Sequence, residues 1–185
     1  SFINDVYICM NMILDQMNEL DKKGEQVKEI RSREIGRHID YKYEEAKYTT
    51  RKYMTRDGGK EYFISLESID KKVIFGFLRL RIPPKIHNPV FKCLENKGLI
   101  RELHVYNSLI SVGEKTDNVQ NTTQHRGTGK KLLKIAEYIA WWEGREGTAV
   151  ITGEGVRSYY HKQGYKDQET FVIKLWKVPC YYIVN

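Results

Sequence analysis

The chain has 185 residues, 41% of them hydrophobic, and a formal net charge of +7. That length and apolar content fit one folded domain with a short extension, and the positive balance favours a polyanionic partner: nucleic acid, a nucleotide cofactor or an acidic protein. No apolar run approaches the ~20 residues needed to cross a bilayer. Cys9, Cys93 and Cys180 are too scattered for a disulfide framework, and with no secretory leader visible they point to reduced thiols in the cytoplasm. The histidines show no paired zinc-type spacing, so no metal site is expected.

In chain order, residues 2–21 read as a helix, because Ile3, Val6, Met10, Ile13, Met17 and Leu20 make one apolar seam. The seam either packs on the domain or docks a second copy or a further domain. Residues 22–60 are charged, with few strong apolar positions. The helix and the charged residues up to 47 are expected to form an N-terminal extension, 1–47, ahead of a domain at 48–185. Thr49–Met54, Glu61–Glu67 and Lys72–Ile82 read as three strands, with Asp57-Gly58-Gly59 turning between the first two. They predict an antiparallel meander. Leu99–Tyr106 returns to strand, with Ile100, Glu102, His104 and Tyr106 expected on one face and Leu99, Arg101, Leu103 and Val105 on the other. After a polar loop, Gln124 to Trp142 reads as a glycine turn opening an amphipathic helix, with Leu132, Leu133, Ala136, Ile139 and Ala140 at helical spacing. Thr148–Thr152 is a short buried strand, residues 156–163 a short helix stopped by Gly164, and Thr170–Trp176 a last strand.

The glycine turn carries the chemistry. The first turn of a helix presents unpartnered N–H groups and a partial positive charge. Glycine at Gly127 and Gly129 lets a phosphate approach bare backbone, and Lys130 and Lys131 add charge beside it. The spacing is neither the dinucleotide fingerprint nor a Walker loop. Strands 99–106 and 148–152 flank this helix, so they are expected to be a parallel crossover pair. If they splay, their free backbone groups can hold an extended amide in the gap while the glycine turn holds a pyrophosphate. Coenzyme A has that shape.

Gln124-x-x-Gly127-x-Gly129 resembles the phosphate loop of the GNAT acetyltransferases, and Tyr160-His161-Lys162-Gln163-Gly164-Tyr165 resembles their later helix. More closely, REIG (33–36), GGKEYFISLE (58–67), GFLRLRIP (76–83), RELHVY (101–106), QHRGTG (124–129) and GVRSYYHKQGY (155–165) resemble the acetyltransferase domain of the Elongator catalytic-subunit family, in its order. The resemblance implies an α+β GNAT fold: a mixed central sheet, flanking helices and a splayed parallel strand pair. It implies an acetyl-CoA-dependent acyltransferase that acts with tRNA in wobble-uridine carboxymethylation. The family's radical SAM barrel and its cluster cysteines have no counterpart here, so a radical SAM domain or Elongator-like partner is implied. The family's zinc cysteines before REIG are also absent, so neither an iron–sulfur cluster nor zinc is expected.

By the same resemblance, Gln124, His125, Arg126, Gly127, Thr128, Gly129 and Lys130 bind the pyrophosphate, and Leu103, His104 and Val105 pair with pantetheine. Tyr160, with Tyr159 as the alternative, lies near the thioester sulfur, where a phenol can protonate a departing thiolate. His104 is a candidate base or a satisfied interior histidine. Arg31, Arg33, Arg37, Lys42, Lys47, Arg51 and Lys52 are either a phosphate-contact patch for tRNA or a mixed-charge surface, given the interleaved glutamates. Two other functions stay open: a stand-alone lysine or small-amine N-acetyltransferase, and a non-catalytic module that binds tRNA or a partner.

Overall fold

A computed structural model describes residues 30–35, 41–86, 88–106 and 127–176. The seam at 2–21, the loop at 107–123, Arg37, Gln124, His125 and Arg126 lie outside the described residues. The strands are β1 (Lys47–Met54), β2 (Lys60–Glu67), β3 (Ile74–Ile82), β4 (Lys97–Val105), β5 (Gly147–Ile151), β6 (Lys166–Gln168) and β7 (Phe171–Leu175); the helices are α1 (Thr128–Trp142) and α2 (Glu154–His161). They form one mixed sheet in the order β1-β2-β3-β4-β5-β7-β6.

The meander forms where alternation and turn chemistry agree. Gly58 takes φ +81° between β1 and β2, a conformation that costs glycine little. Asp57 accepts hydrogen bonds from Thr55 Oγ1 and the Gly59 N–H, which closes the turn. β1, β2, β3 and β4 then pair antiparallel in sequence. Leu132, Leu133, Ala136 and Ala140 line one face of α1 and pack on Ile64, Leu78, Leu80 and Ile100. All of these are essentially inaccessible to solvent. At ~1.5–3 kcal/mol for each large apolar side chain, this contact fixes α1 across the sheet.

β4 departs from the expected alternation. Arg79 faces Glu102, but Leu80 faces Ile100, so Arg101 is an extra residue, a β-bulge. The bulge flips the parity of the strand. Ile100 shares the α1-facing core with Leu103, rather than sharing a face with Glu102 and His104. On the opposite face Arg101 donates to Glu61 at 2.6 Å and Arg79 to Glu102 at 3.1 Å. β6 was not expected from the sequence: its three residues are all exposed and carry no apolar pattern.

Residues 30–35 lie against the sheet. Glu34 bridges Ile74, and Ile35 is buried with Leu66, Val73 and Phe75. Beside them Glu67, 0% exposed, accepts from Arg33 at 3.0 Å and from Arg51 at 2.5 and 2.9 Å. Two members of the basic stretch therefore spend their charge on an internal carboxylate. Burial alone would raise the Glu67 carboxyl. Hydrogen bonds from Arg51 and Ser65 and the charges of Arg33 and Arg51 outweigh it and hold the group at about 2, against an ordinary 4.5. Because the folded value is depressed, the stability it contributes is complete above about pH 4.5 and is lost as pH falls toward 2. At about 1.4 kcal/mol per pH unit, the contribution is of order 3 kcal/mol at neutral pH. Glu67→Gln is expected to lose about that much at pH 7, read by urea unfolding, and to flatten the acid limb between pH 4.5 and 3. A variant as stable as the wild type at pH 7 would contradict this account of the clamp.

Candidate active site

The parallel pairing of β4 with β5 is short. It runs only from Lys97–Ile100 against Gly147–Val150. Beyond the bulge, β4 stays with β3 through Glu102, Leu103, His104 and Val105. Among the described residues, the β5-facing edge of this part of β4 has no strand partner. The two strands splay and leave a cavity of about 510 Å³, bounded by Arg101–Val105, Ile151–Gly153, Gly129, Val156, Tyr159 and Tyr160. That volume suits a small-molecule ligand.

One wall is the start of α1. Gly127 is its N-cap and has no side chain to make a capping bond, and among the described residues no side chain caps the helix's first N–H groups. A Cβ at Gly129 would lie 2.6 Å from Tyr159 Oη. Glycine at this position lets the tyrosine reach the helix terminus. The Tyr159 hydroxyl is buried and has no hydrogen-bond partner among the described residues. Leaving such a group unsatisfied costs about 1–3 kcal/mol, and a ligand acceptor in the cavity would remove that cost.

Tyr160 follows on α2. Its ring is buried and packs edge-on against Tyr159 and Tyr165, with centroids 5.2 and 5.7 Å away. Burial, and then the neighbouring Tyr159, push its phenol up to about 12. Burial raises Tyr159 as well. Both tyrosines therefore keep their protons at neutral pH. His104 forms part of the β4 wall with its side chain 54% exposed; it stacks on Phe77 at 5.1 Å and lies 4.0 Å from the Glu102 carboxylate. A base or orienting group is thus within reach of the opening.

Leu103, His104, Val105, Gly129, Tyr159 and Tyr160 therefore meet in one cavity. Thr128 lies behind it, fully buried, its hydroxyl 2.7 Å from that of Tyr43. Lys131 stands over the Tyr48 ring at 4.6 Å, and Lys130 is exposed beside the helix start. His161 faces outward and pairs with Asp167 at 3.0 Å. Sequence reasoning did not single out Ile151–Gly153 or Val156. The signal was present: they follow a buried parallel strand, whose C-terminal end is where such sheets bind ligands. Nothing in the sequence marks Tyr43 as a partner of Thr128.

A seven-stranded sheet in this order, with a parallel pair that splays beside a glycine-opened helix, defines the GNAT acyltransferase fold. No family model matches the chain. Among curated proteins it is 38% identical over 154 residues to Elongator complex protein 3 of Schizosaccharomyces pombe, covering 80% of this chain and 27% of that protein. The human Elongator complex protein 3 is 36% identical over 172 residues, covering 90% of the chain and 30% of that protein. The tRNA uridine(34) acetyltransferase of Dehalococcoides mccartyi is 38% identical over 151 residues, with coverages of 80% and 32%. Among solved structures, archaeal Methanocaldococcus infernus Elp3 with an N-terminal deletion aligns with a TM-score of 0.67 and 32% identity, over 86% of this chain and 38% of that one. Over this region the chain belongs to the family of Elongator complex protein 3 and the tRNA uridine(34) acetyltransferases. It spans about three tenths of the length of the curated relatives it matches.

Proposed function

We propose that this chain binds acetyl-CoA in the cleft between β4 and β5 and handles its acetyl group in the modification of a tRNA uridine. The observation that carries the reading is the cleft itself: a strand edge, a glycine-opened helix start and a tyrosine hydroxyl, none with a partner among the described residues, converge on one cavity. These features fit the ligand. The edge of Leu103–Val105 offers backbone groups to an extended pantetheine amide. The segment from Gln124 to Lys130, with the N–H groups of α1, suits a pyrophosphate.

When bound, acetyl-CoA supplies an acetyl group activated as a thioester. Tyr160 holds a proton at its hydroxyl at neutral pH and donates it where the thiolate departs. Tyr159 donates its orphaned hydroxyl to a ligand acceptor near Gly129. His104, beside Glu102, accepts a proton from the incoming group or orients it. The acceptor is read as the wobble uridine of tRNA, because relatives carry the name tRNA uridine(34) acetyltransferase. A radical SAM domain or an Elongator-like partner would supply the remainder of that reaction.

The test is turnover with and without tRNA. Acetyl-CoA consumption that rises on adding tRNA supports the reading. Turnover on lysine peptides or small amines with no tRNA dependence would replace it with a stand-alone N-acetyltransferase.

A further inference from the structure

At the other end of the parallel pair lies a second cavity, of about 500 Å³. Lys97 opens β4 there, beside Gly147 at the start of β5. Arg145 reaches in from the turn after α1, and Lys85 and Lys92 come from the segment between β3 and β4. Glu95 and Glu146 also line it, so four cations face two carboxylates.

These cations differ from the arginines on and against the sheet. Arg33, Arg51, Arg79, Arg81 and Arg101 each pair with a carboxylate. Among the described residues none of the four cavity cations forms a salt bridge. Lys97 donates to the Glu95 carbonyl at 2.9 Å and Arg145 Nη2 to the Pro83 carbonyl at 2.6 Å. Arg145 Nε is buried with no hydrogen-bond partner among the described residues. A guanidinium beside three lysines, none of them paired with a carboxylate among the described residues, is a phosphate-binding arrangement. Among the described residues no aromatic side chain lines the cavity, so none of them stacks a base there. The site suits a backbone phosphate rather than a free nucleotide.

We infer that this cavity is a second anion site that takes the phosphodiester backbone of the acceptor RNA. The assignment to RNA rests on the tRNA reading above. Lys97 and His104 are seven residues apart on β4, roughly 23 Å at ~3.3 Å per residue. A folded RNA with one nucleotide at the cleft has phosphates that reach this far; a small substrate does not. The two sites would together set how the RNA lies along β4.

The test uses the full 185-residue chain and a labelled anticodon stem–loop RNA, titrated across a range of salt. Lys85 and Lys92 are exposed, so the double variant K85Q/K92Q leaves the fold intact. It is expected to bind RNA about tenfold more weakly at low salt and to lower the slope of log K against log salt by about 1–2. Its acetyl-CoA affinity should not change. K97Q, tested separately, should act in the same direction. An unchanged salt slope in both variants would overturn the proposal. So would a wild-type chain that binds no RNA, and acetyl-CoA binding would then still stand as a separate result. If millimolar inorganic phosphate raises the wild-type melting temperature but not the variant's, while RNA affinity is unaffected, the cavity holds free anions and the RNA assignment fails.

Discussion

Replacing Tyr160 with phenylalanine is expected to cut acetyl transfer by about a hundredfold or more while leaving acetyl-CoA affinity within about twofold. General-acid catalysis by a positioned group contributes roughly 10²–10⁴-fold, and the substitution removes only the hydroxyl that carries the proton. The ring stays packed on Tyr159 and Tyr165, so the fold is preserved. The adjacent change has the opposite signature. Tyr159→Phe deletes a buried hydroxyl with no partner among the described residues. The free protein should be as stable as the wild type or slightly more so, because the cost of an unsatisfied buried group is relieved. Acetyl-CoA affinity should fall several-fold, since that hydroxyl is read as a ligand donor. Steady-state kinetics, calorimetry and thermal melting on the two variants separate the roles. If Tyr159→Phe abolished turnover and Tyr160→Phe did not, the two assignments would be exchanged.

The second large effect is at Gly129. An alanine Cβ there would sit 2.6 Å from Tyr159 Oη, well inside contact distance. Gly129→Ala is expected to weaken acetyl-CoA binding at least tenfold, because the new methyl both displaces Tyr159 and covers the start of α1. The strain should also cost about 1–3 kcal/mol in the free protein. The double variant Gly129→Ala/Tyr159→Phe takes away the clashing oxygen. It should recover most of the stability and little of the affinity. Recovery of both would mean that the helix start is not part of the ligand site. Gly127→Ala should cost the free protein little stability, because a Cβ there meets nothing within 4 Å among the described residues.

Much of this site was legible in the sequence, for identifiable reasons. Leu132, Leu133, Ala136 and Ala140 announce a helix because their spacing matches its turn, and the same residues bury it on the sheet. Asp57-Gly58-Gly59 announces a hairpin because only a glycine sits easily at φ +81°. The crossover between β4 and β5 follows from strand, helix and strand in succession, and the pair is parallel as expected. The point where that pair separates was not legible. It depends on the bulge at Arg101, and RELHV alternates equally well with or without an extra residue. The bulge is visible only against β3, where Leu80 meets Ile100.

Charge was the least legible property. Arg33 and Arg51 read as part of a basic stretch available to phosphates. In the fold a single buried carboxylate, Glu67, joins them across 34 and 16 residues of sequence. Lys85, Lys92, Lys97 and Arg145 drew no attention in the sequence, because two loops and a strand start bring them together only after folding. Patterning along a chain reports which face is buried. It does not report which cations are already spent.

The most direct measurement is a titration of the chain with acetyl-CoA, followed by calorimetry and by melting temperature. A ligand that binds only the folded state stabilises it by about 2.7 kcal/mol at a hundred times its dissociation constant, which for a domain of this size is a rise of roughly 5–10 °C. Saturable binding at one site, with a rise of that order that Gly129→Ala loses, is the result expected. No heat and no shift at millimolar acetyl-CoA would contradict the reading of the cleft between β4 and β5 as an acetyl-CoA site.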